Sequence, residues 1–399
     1  MMVAFKRLYK DSTNNELVSS RLGRVAQLLG LRDGKLESPD FYSKDYHIGW
    51  EEFRNYNIRD VELLVQIDDA WNVIGSYKTV QQLVGCQLRS TFYATGLARV
   101  MFNEEADWKQ RTYPYEHEFA DDDDDLEGAI VLDPEELDSV GLHKNVVMLD
   151  FSGLYPSMMI SYNTSWESKV KRGEESDDDI IGDRCRFRRN PEGVLPRCVK
   201  ELDVLRDEYK ELRSRYSKET KEYKKWDAAQ KTVKRLRATF YGLMAFQGFA
   251  WADIDIARTI TYGGRNALTS IMEESERLGY RVLYGHTDSI MIALGDDKTH
   301  EECAKLSLEL GEHLTKMMQE KLQSDAVEVE PEILMDRFYL PRRNRYAGRI
   351  IWDPSLADPH SVAKLPVDSR IKIQGLEAKH ANTAEIGRVA QYEALKLIW

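Results

Sequence analysis

The sequence contains few cysteines and lacks the apolar segments that would place a chain in a membrane. Its 399 residues include only four cysteines, and no two of them have the Cys-x-x-Cys spacing of a zinc or redox site. No apolar run approaches the length of a membrane span, and residues 1–10 lack the apolar core of a signal peptide. We therefore expect reduced thiols, no membrane partner and a cytoplasmic location.

Basic residues are missing from one segment, and that gap accounts for the charge of the whole chain. The formal net charge is −12, and residues 116–138 hold twelve acidic residues with no Lys or Arg. The remainder is therefore neutral overall, so the acidity of the chain does not argue against a nucleic-acid partner. Five consecutive aspartates at 121–125 repel one another, which predicts a solvated loop.

The hydrophobic pattern is typical of a folded protein with more than one core. A length of 399 residues with 42% hydrophobic residues predicts two or three substructures. Residues 16–75 have mostly helical spacing, and residues 171–197 are polar enough to predict a surface excursion. Other segments are predicted as strands (129–132, 145–149, 281–284 and 289–294), as helices (255–278, 300–322 and a last one ending at Trp399) and as an irregular basic stretch (342–346).

The strongest helical pattern covers residues 199–238 and is interrupted near 217–220. Thirteen Lys or Arg against eight Asp or Glu give this segment a net charge of +5. Apolar residues recur every three or four positions, so one face packs and the other is free. Two long antiparallel helices joined by a short turn fit this pattern better than a single rod. Taken alone, the charge of this segment more often indicates a solvated face.

Two aspartates lie at the edges of predicted strands. Asp150 follows an apolar strand-like segment, and Asp288 lies between two such segments. Carboxylates brought together from strand edges can bridge two Mg²⁺ ions about 3.5–4 Å apart, an arrangement that transfers phosphoryl or nucleotidyl groups. Taken singly, such an aspartate is more often a cap or turn residue.

Cations that suit a triphosphate lie on the predicted helical hairpin. Arg206 and Lys210 are four residues apart on one helix face, and Lys234 on the second helix could face them. Tyr241 and Gly242 offer a flat ring and a close backbone approach for a base pair, or simply end the helix. A generic nucleotide-binding protein would need a glycine-rich phosphate loop, and the sequence has none.

The order of these features resembles that of family B DNA polymerases, from about residue 45 to the end. Five segments carry the resemblance: 150–157 (Asp-Phe-Ser-Gly-Leu-Tyr-Pro-Ser, with Gly153 inserted), 234–242 (Lys to Tyr-Gly), 284–289 (Tyr-Gly-His-Thr-Asp-Ser), 343–348 (Arg-Asn-Arg-Tyr-Ala-Gly) and 375–377 (Gly-Leu-Glu). The resemblance implies an α+β fold with an antiparallel palm sheet, a helical-hairpin fingers subdomain and a mainly helical exonuclease remnant. The implied divisions are 1–75 (exonuclease remnant), 76–199 (connection and first part of the palm), 200–247 (fingers), 248–365 (second part of the palm) and 366–399 (start of the thumb).

The resemblance also implies roles for individual residues. Asp150 and Asp288 would be catalytic and would hold two Mg²⁺ ions, or Mn²⁺, together with the Phe151 carbonyl. Nucleotide-binding residues would be Leu154, Tyr155 (as the gate that excludes a ribose 2′-OH), Arg206, Lys210, Lys234 and Tyr241. DNA-binding residues would be Thr287, Arg343, Arg345, Tyr346 and Lys379.

Three departures from the family pattern bear on activity. His286 replaces an acidic residue of the third segment, a loss that we expect to slow rather than abolish catalysis because Asp288 remains. Ala238 and Thr239 replace Asn-Ser in the fingers segment, which predicts weaker nucleotide binding. Tyr56 and Asp60 resemble the last exonuclease motif, but no Asp-x-Glu motif precedes them and most of the thumb is lacking.

The sequence therefore predicts a DNA polymerase subunit of viral or archaeal type, located in a host cytoplasm or nucleoid if viral. Its expected partners are primer–template DNA, deoxynucleotides, other polymerase chains that supply the exonuclease and thumb parts, and a sliding clamp. We do not expect this chain alone to proofread. The alternative is a catalytically impaired, polymerase-like scaffold subunit of a replication complex.

Overall fold

The computed structural model describes residues 1–13, 17, 19–31, 50–108, 126–356, 358–379 and 383–398. The chain forms two compact units. The helical unit comprises Met1–His117 and Arg197–Ala252, and the sheet unit comprises Glu118–Pro196 and Asp253–Trp399. The predicted aspartate loop at 121–125 and Trp399 lie outside the described residues. No helix within the described ranges is long and apolar enough to cross a bilayer.

The helices and strands follow the predicted order closely. In the described part of the chain the helices are α1 (Met2–Thr13), α2 (Leu22–Leu28), α3 (Trp50–Trp71), α4 (Val73–Val84), α5 (Ala94–Trp108), α6 (Leu154–Ser161), α7 (Val194–Ser214), α8 (Lys221–Met244), α9 (Ile254–Arg277), α10 (His300–Leu322) and α11 (Glu385–Ile398). The strands are β1 (Gly141–Phe151), β2 (Ile180–Ile181), β3 (Arg186–Phe187), β4 (Arg281–His286), β5 (Ser289–Ala293), β6 (Val329–Arg342), β7 (Arg345–Trp352) and β8 (Ile371–Gln374).

The helical unit contains the predicted pair of long basic helices, α7 and α8. The interruption near 217–220 ends the first helix, and the Thr220 hydroxyl caps the second by accepting a hydrogen bond from the Tyr223 amide at 3.2 Å. Ion pairs join the two helices, Arg213 to Asp227 at 2.9 Å and Asp203 to Arg237 at 2.9 Å. These cross-links between two separate helices confirm the prediction of a helical hairpin.

The sheet unit is built on one antiparallel six-stranded sheet in the order β4-β5-β1-β6-β7-β8. Helices α9 and α10 pack against it. Its core includes Met148, Tyr284, Met291 and Phe338, all buried. A separate two-stranded sheet, β2 and β3, lies in the predicted surface excursion. The combination of helices with an antiparallel sheet confirms the α+β class.

Two local predictions are wrong. The basic stretch at 342–346 is a tight hairpin rather than irregular, because Arg342 pairs with Arg345 and Asn344 adopts the left-handed conformation with φ +61°. Residues 129–132 do not form a full strand. Only an isolated bridge joins Val131 to His286, and the Leu132 amide donates to the Gly285 carbonyl at 2.9 Å.

Candidate active site

The two predicted catalytic aspartates come together at one end of the central strands. Strands β1 and β5 are antiparallel neighbours, and Asp150 stands opposite Ser289. One residue further, the Phe151 amide donates a hydrogen bond to the Asp288 carbonyl at 2.9 Å. This register brings Asp150 and Asp288 side by side, although 138 positions separate them in the sequence. The sheet thus supplies the convergence that a shared metal site requires.

Asp288 is presented by a strained two-residue turn between β4 and β5. His286 pairs with Ser289, which leaves Thr287 and Asp288 at the tip. Thr287 has φ +58°, a conformation that disfavours β-branched residues and carries a strain of about 1–3 kcal/mol. The Thr287 amide donates to the Ile130 carbonyl at 3.0 Å, and the Thr287 hydroxyl lies 3.2 Å from His286 Nδ1. The turn is therefore held from outside the hairpin.

Acidic side chains from several strands act on the same buried groups at this site. Burial raises the pKa of the Asp288 carboxyl, the charge on Glu332 adds to the rise and His286 opposes it. Burial likewise raises the pKa of Tyr346 to about 12, reinforced by Glu332, Tyr284, Asp150 and Asp288. Three carboxylates consequently act on the same buried hydroxyl, and a cation bound near them would relieve the repulsion.

The donor set fits a hard divalent cation. Asp150 and Asp288 offer carboxylate oxygens, and the Phe151 carbonyl accepts one hydrogen bond, from the Gly153 amide at 2.5 Å, which leaves its second lone pair. All of these donors are oxygens, as Mg²⁺ prefers. Among the described residues no group of three or more His, Cys, Asp or Glu could hold a metal. A bound Mg²⁺ would thus complete its shell with water or substrate oxygens.

Leu154 and Tyr155 open helix α6, directly after the strand that carries Asp150. Gly153 caps the helix in the left-handed conformation, with φ +83°. A Cβ added to Gly264 of α9 would lie 3.2 Å from Tyr155 Cε1 and 3.3 Å from Leu154 Cδ2. Leu154 is buried, so only its main chain can meet a nucleotide. The Tyr155 ring therefore lies against α9 at Gly264.

The predicted DNA-binding residues differ in exposure. Arg343 and Lys379 are exposed, whereas Arg345 is half-buried and forms an ion pair with Glu377. Tyr346 is buried in the sheet core. A contact between Tyr346 and DNA would have to be made by its hydroxyl from within the fold, and this contact stays a prediction. Arg343 lies in the turn between β6 and β7, and Arg345 and Tyr346 begin β7, so these three share one local structure.

Two residues at this end of the sheet, Glu332 and Asn344, were not singled out from the sequence. Glu332 belongs to an alternating acidic pattern with Glu328 and Glu330, and this period of two could have marked it. Asn344 occupies the left-handed turn position and bonds Tyr284, a residue inside the third resembling segment. No local signal links Asn344 to Tyr284, because 60 positions separate them.

In the helical unit, the predicted phosphate-binding residues lie on α7 and α8. Burial raises the pKa of Asp203, and Arg237 and Arg206 oppose the rise, which shows that Arg206 lies near this ion pair. Arg206 Nε is buried without a hydrogen bond to any described residue. Lys210 forms an ion pair with Asp207 at 2.7 Å. The convergence of Arg206 and Lys210 with the exposed Lys234 stays a prediction.

Tyr241 lies seven residues after Lys234, two turns or about 10.5 Å along the same face of α8. Between them Thr239 donates its hydroxyl to the carbonyls of Arg235 at 3.0 Å and Leu236 at 2.8 Å. The Thr239 hydroxyl is therefore occupied within the helix, and the exposed Ala238 has no polar group to offer.

The predicted exonuclease residues Tyr56 and Asp60 lie one turn apart on α3, both partly buried.

Comparisons with known proteins give the relatives of this chain. The family model described as DNA polymerase family B matches residues 94–379, which include every predicted site residue except Tyr56 and Asp60. A DNA polymerase of Archaeoglobus fulgidus is 27% identical over 403 residues, covering 96% of this chain and 45% of that protein. DNA polymerase 2 of Aeropyrum pernix is 25% identical over 68% of this chain and 30% of its own length.

A more distant similarity is to the mouse DNA polymerase alpha catalytic subunit, 25% identical over 56% of this chain and 15% of that protein. The chain spans less than half the length of each of these three relatives. The similarity is therefore to one part of a longer enzyme.

Proposed function

This chain belongs to DNA polymerase family B, and we propose that it is a DNA polymerase subunit that adds deoxynucleotides to a primer 3′ end on a DNA template. The observation that carries the proposal is the pairing of β1 with β5, which sets Asp150 beside Asp288. The three carboxylates that act on Tyr346, those of Glu332, Asp150 and Asp288, support it, because oxygen ligands favour a divalent cation.

We assign the part of the sheet unit before residue 366 to the palm and the α7–α8 hairpin to the fingers. The remaining divisions are those that the resemblance implies, with an exonuclease remnant at 1–75 and the start of a thumb at 366–399. The antiparallel sheet that carries both aspartates supports the palm assignment. The cross-linked basic helices support the fingers assignment.

In this mechanism each part of the site has a separate task. Asp150, Asp288 and the Phe151 carbonyl hold the metal site. Mg²⁺ or Mn²⁺ held there would supply activation of the primer 3′-OH and neutralisation of the charge on the leaving pyrophosphate. Tyr155 excludes a ribose 2′-OH with its ring, which lies against α9 at Gly264.

The incoming nucleotide and the DNA are held by the other predicted residues. Arg206, Lys210 and Lys234 bind the triphosphate, Tyr241 packs under the nascent base pair, and the Leu154 main chain lines the pocket. The sugar-phosphate backbones of the primer and template are held by five residues, Thr287, Arg343, Arg345, Tyr346 and Lys379. Such contacts position the duplex without reading its sequence.

Further segments would complete the enzyme. The curated relatives are more than twice as long as the aligned part of this chain. We propose that an exonuclease Asp-x-Glu motif, a thumb and a sliding clamp come from chain segments or partners outside this sequence. Asp60 would then serve as one carboxylate of a shared exonuclease site, with Tyr56 one helical turn away.

A second candidate is a polymerase-like scaffold with impaired catalysis. His286 favours it, because this side chain lies in the turn that presents Asp288 and replaces an acidic residue of the family segment. Ala238 in the fingers favours it as well. The retention of both Asp150 and Asp288 opposes it, since a lapsed enzyme has no need to keep both.

Primer extension tests the proposal. The native chain, with Mg²⁺, deoxynucleotides and a primer–template, is compared with Asp288→Asn, alone and with candidate partner chains. Extension that Asp288→Asn abolishes supports a polymerase. The scaffold is supported if the native chain binds the template but extends no primer, with or without partner chains, while the His286→Asp variant does extend it. A Lys305→Ala variant is the control, because Lys305 is exposed on α10 and has no predicted role.

A further inference from the structure

The helical unit has a surface that gathers cations and aromatic rings without an acidic residue. Two adjoining cavities of about 480 and 370 Å³ share Tyr93 and Thr95 as lining residues. Five cations line them, namely Arg7, Lys10, Arg89, Arg99 and Arg235. Among the residues that the structure describes, no Asp or Glu lines either cavity. We call this region the basic aromatic surface.

Three of these cations lack a carboxylate partner. Within the described ranges Arg7, Arg89 and Arg99 form no ion pair, and the guanidinium of Arg7 lies over the Tyr93 ring, 5.5 Å from its centroid. Elsewhere on the chain, arginines such as Arg213 and Arg349 are paired with aspartate. In a protein of net charge −12, a concentration of unpaired arginines is unexpected for a plain solvated face.

The aromatic rings of this surface are exposed and held in place. Tyr93 is 59% exposed and Phe246 is 52% exposed, and both line the smaller cavity. The Phe246 ring rests on Gly248, where an added Cβ would come within 2.6 Å of the ring. Arg7 supports Tyr93 through the cation–π contact. Rings fixed in this way lose little conformational freedom when a planar group stacks on them.

We propose that the basic aromatic surface binds single-stranded nucleic acid, with bases stacked on Tyr93 and Phe246 and phosphates held by the five cations. Aromatic platforms beside a positive groove are the usual means of binding a single strand without sequence preference. An acidic peptide would use the cations but leave the exposed rings without a function. In the proposed polymerase the strand is the unpaired template, and this last identification rests on the proposed function.

Fluorescence anisotropy with a labelled oligothymidylate tests the proposal. The full chain is used in EDTA without deoxynucleotides, so binding is measured independently of catalysis. We expect Tyr93→Ala to weaken binding about tenfold, because stacking contributes about 1–3 kcal/mol per base, and Tyr93→Phe to bind as the native chain. The Arg89→Ala/Arg99→Ala double variant should lower the salt-dependence slope by about 1.4, or about 0.7 for each lost phosphate contact.

The control variant is Lys305→Ala, an exposed cation of the sheet unit, which should leave both affinity and slope unchanged. Native affinity in Tyr93→Ala, or an unchanged salt slope in the double arginine variant, would overturn the inference. Tighter binding of a labelled polyglutamate peptide than of the oligothymidylate would also overturn it, in favour of an acidic protein partner. If the native chain extends a primer but the Tyr93 and arginine variants bind the oligothymidylate as the native chain does, only the proposed surface is rejected. If the variants lose strand binding as expected but the native chain does not extend a primer, only the proposed polymerase function is rejected.

Discussion

Tyr284 and Asn344 are joined by two hydrogen bonds. The Tyr284 hydroxyl donates to Asn344 Oδ1 at 3.0 Å and accepts from the Asn344 amide at 2.8 Å. The bonds tie β4, the strand that leads to His286 and Asp288, to the turn between β6 and β7. Gly375 lies against the same turn, because a Cβ there would come within 1.9 Å of the Asn344 carbonyl oxygen. The catalytic turn and the basic turn are therefore positioned together.

Removing the Tyr284 hydroxyl should loosen the basic turn without moving the aspartates. We expect Tyr284→Phe to raise KM for primer–template about two- to tenfold, since a net hydrogen bond contributes about 0.5–1.5 kcal/mol, and to leave KM for deoxynucleotide unchanged. Steady-state extension with each substrate varied in turn measures both constants. Tyr280→Phe is the matched control, because Tyr280 makes no such pair with a described residue. Equal rises in both KM values would mean a general loss of structure.

Restoring a carboxylate at position 286 should raise activity only moderately. We expect His286→Asp to increase the rate of incorporation by no more than about 100-fold, the usual range for residues that support a metal site without binding it. His286→Asn is the matched control for side-chain size without charge. A rise far above this limit would show that the native site is essentially inactive and would favour the scaffold.

The gate that excludes ribonucleotides should depend on Gly264. A methyl group there would lie 3.2 Å from the Tyr155 ring and would move the ring by a few tenths of an ångström. We expect Tyr155→Ala to reduce discrimination between deoxynucleotides and ribonucleotides by about tenfold or more, and Gly264→Ala to change it measurably.

Competition between the two nucleotide types in primer extension measures this ratio. Gly263→Ala is the control for a general disturbance of α6, because its added Cβ would overlap Tyr162 at 2.8 Å and press on Met158 at 3.0 Å instead of lying near Tyr155. Identical discrimination in native, Tyr155→Ala and Gly264→Ala chains would remove Tyr155 from the gate.

The α7–α8 hairpin should lose stability in acid through Asp227. Burial alone would raise the pKa of this carboxyl, but hydrogen bonds from Lys231 and Arg213 outweigh burial and lower it. Because the pKa of Asp227 is lower in the folded state, this carboxyl stabilises the fold at pH values above its unfolded-state pKa of about 3.9. The stabilisation is lost as the pH falls through the folded-state pKa.

We therefore expect Asp227→Asn to unfold more easily than the native chain at pH 7, by about 1 kcal/mol, and the difference to disappear in strong acid. Denaturant melts across the pH range measure it. Asp325→Asn, an exposed carboxyl, provides the baseline. A constant difference at all pH values would show that the ion pairs of Asp227 are not its source.

The parts of the fold that were predictable depend on local patterns. The helical spacing and the break near 217–220 are readable within one segment, and so the α7–α8 hairpin was anticipated. The strands that carry Asp150 and Asp288 are short apolar runs with clear edges. The residues alone made their adjacency one possibility and the family resemblance made it an expectation, since a register between distant strands is fixed by the whole sheet.

The parts that were missed depend on contacts between distant segments. Thr287 disfavours a positive φ by itself, and the Ile130 carbonyl that holds it lies far away in the sequence. The 342–346 hairpin has no glycine or proline to mark its turn, and Asn344 takes the left-handed position with the help of Tyr284. The basic aromatic surface joins α1, α5 and α8, which no single window of sequence contains.

The central claim is that Asp150 and Asp288 act as one unit. Single-turnover incorporation of one deoxynucleotide by the native chain, Asp150→Asn, Asp288→Asn and the double variant tests it most directly. We predict that each single change slows incorporation by about a thousandfold or more and that the double variant is hardly slower than either, because residues of one unit are not additive. Native rates in a single variant, or losses that multiply in the double variant, would contradict the account.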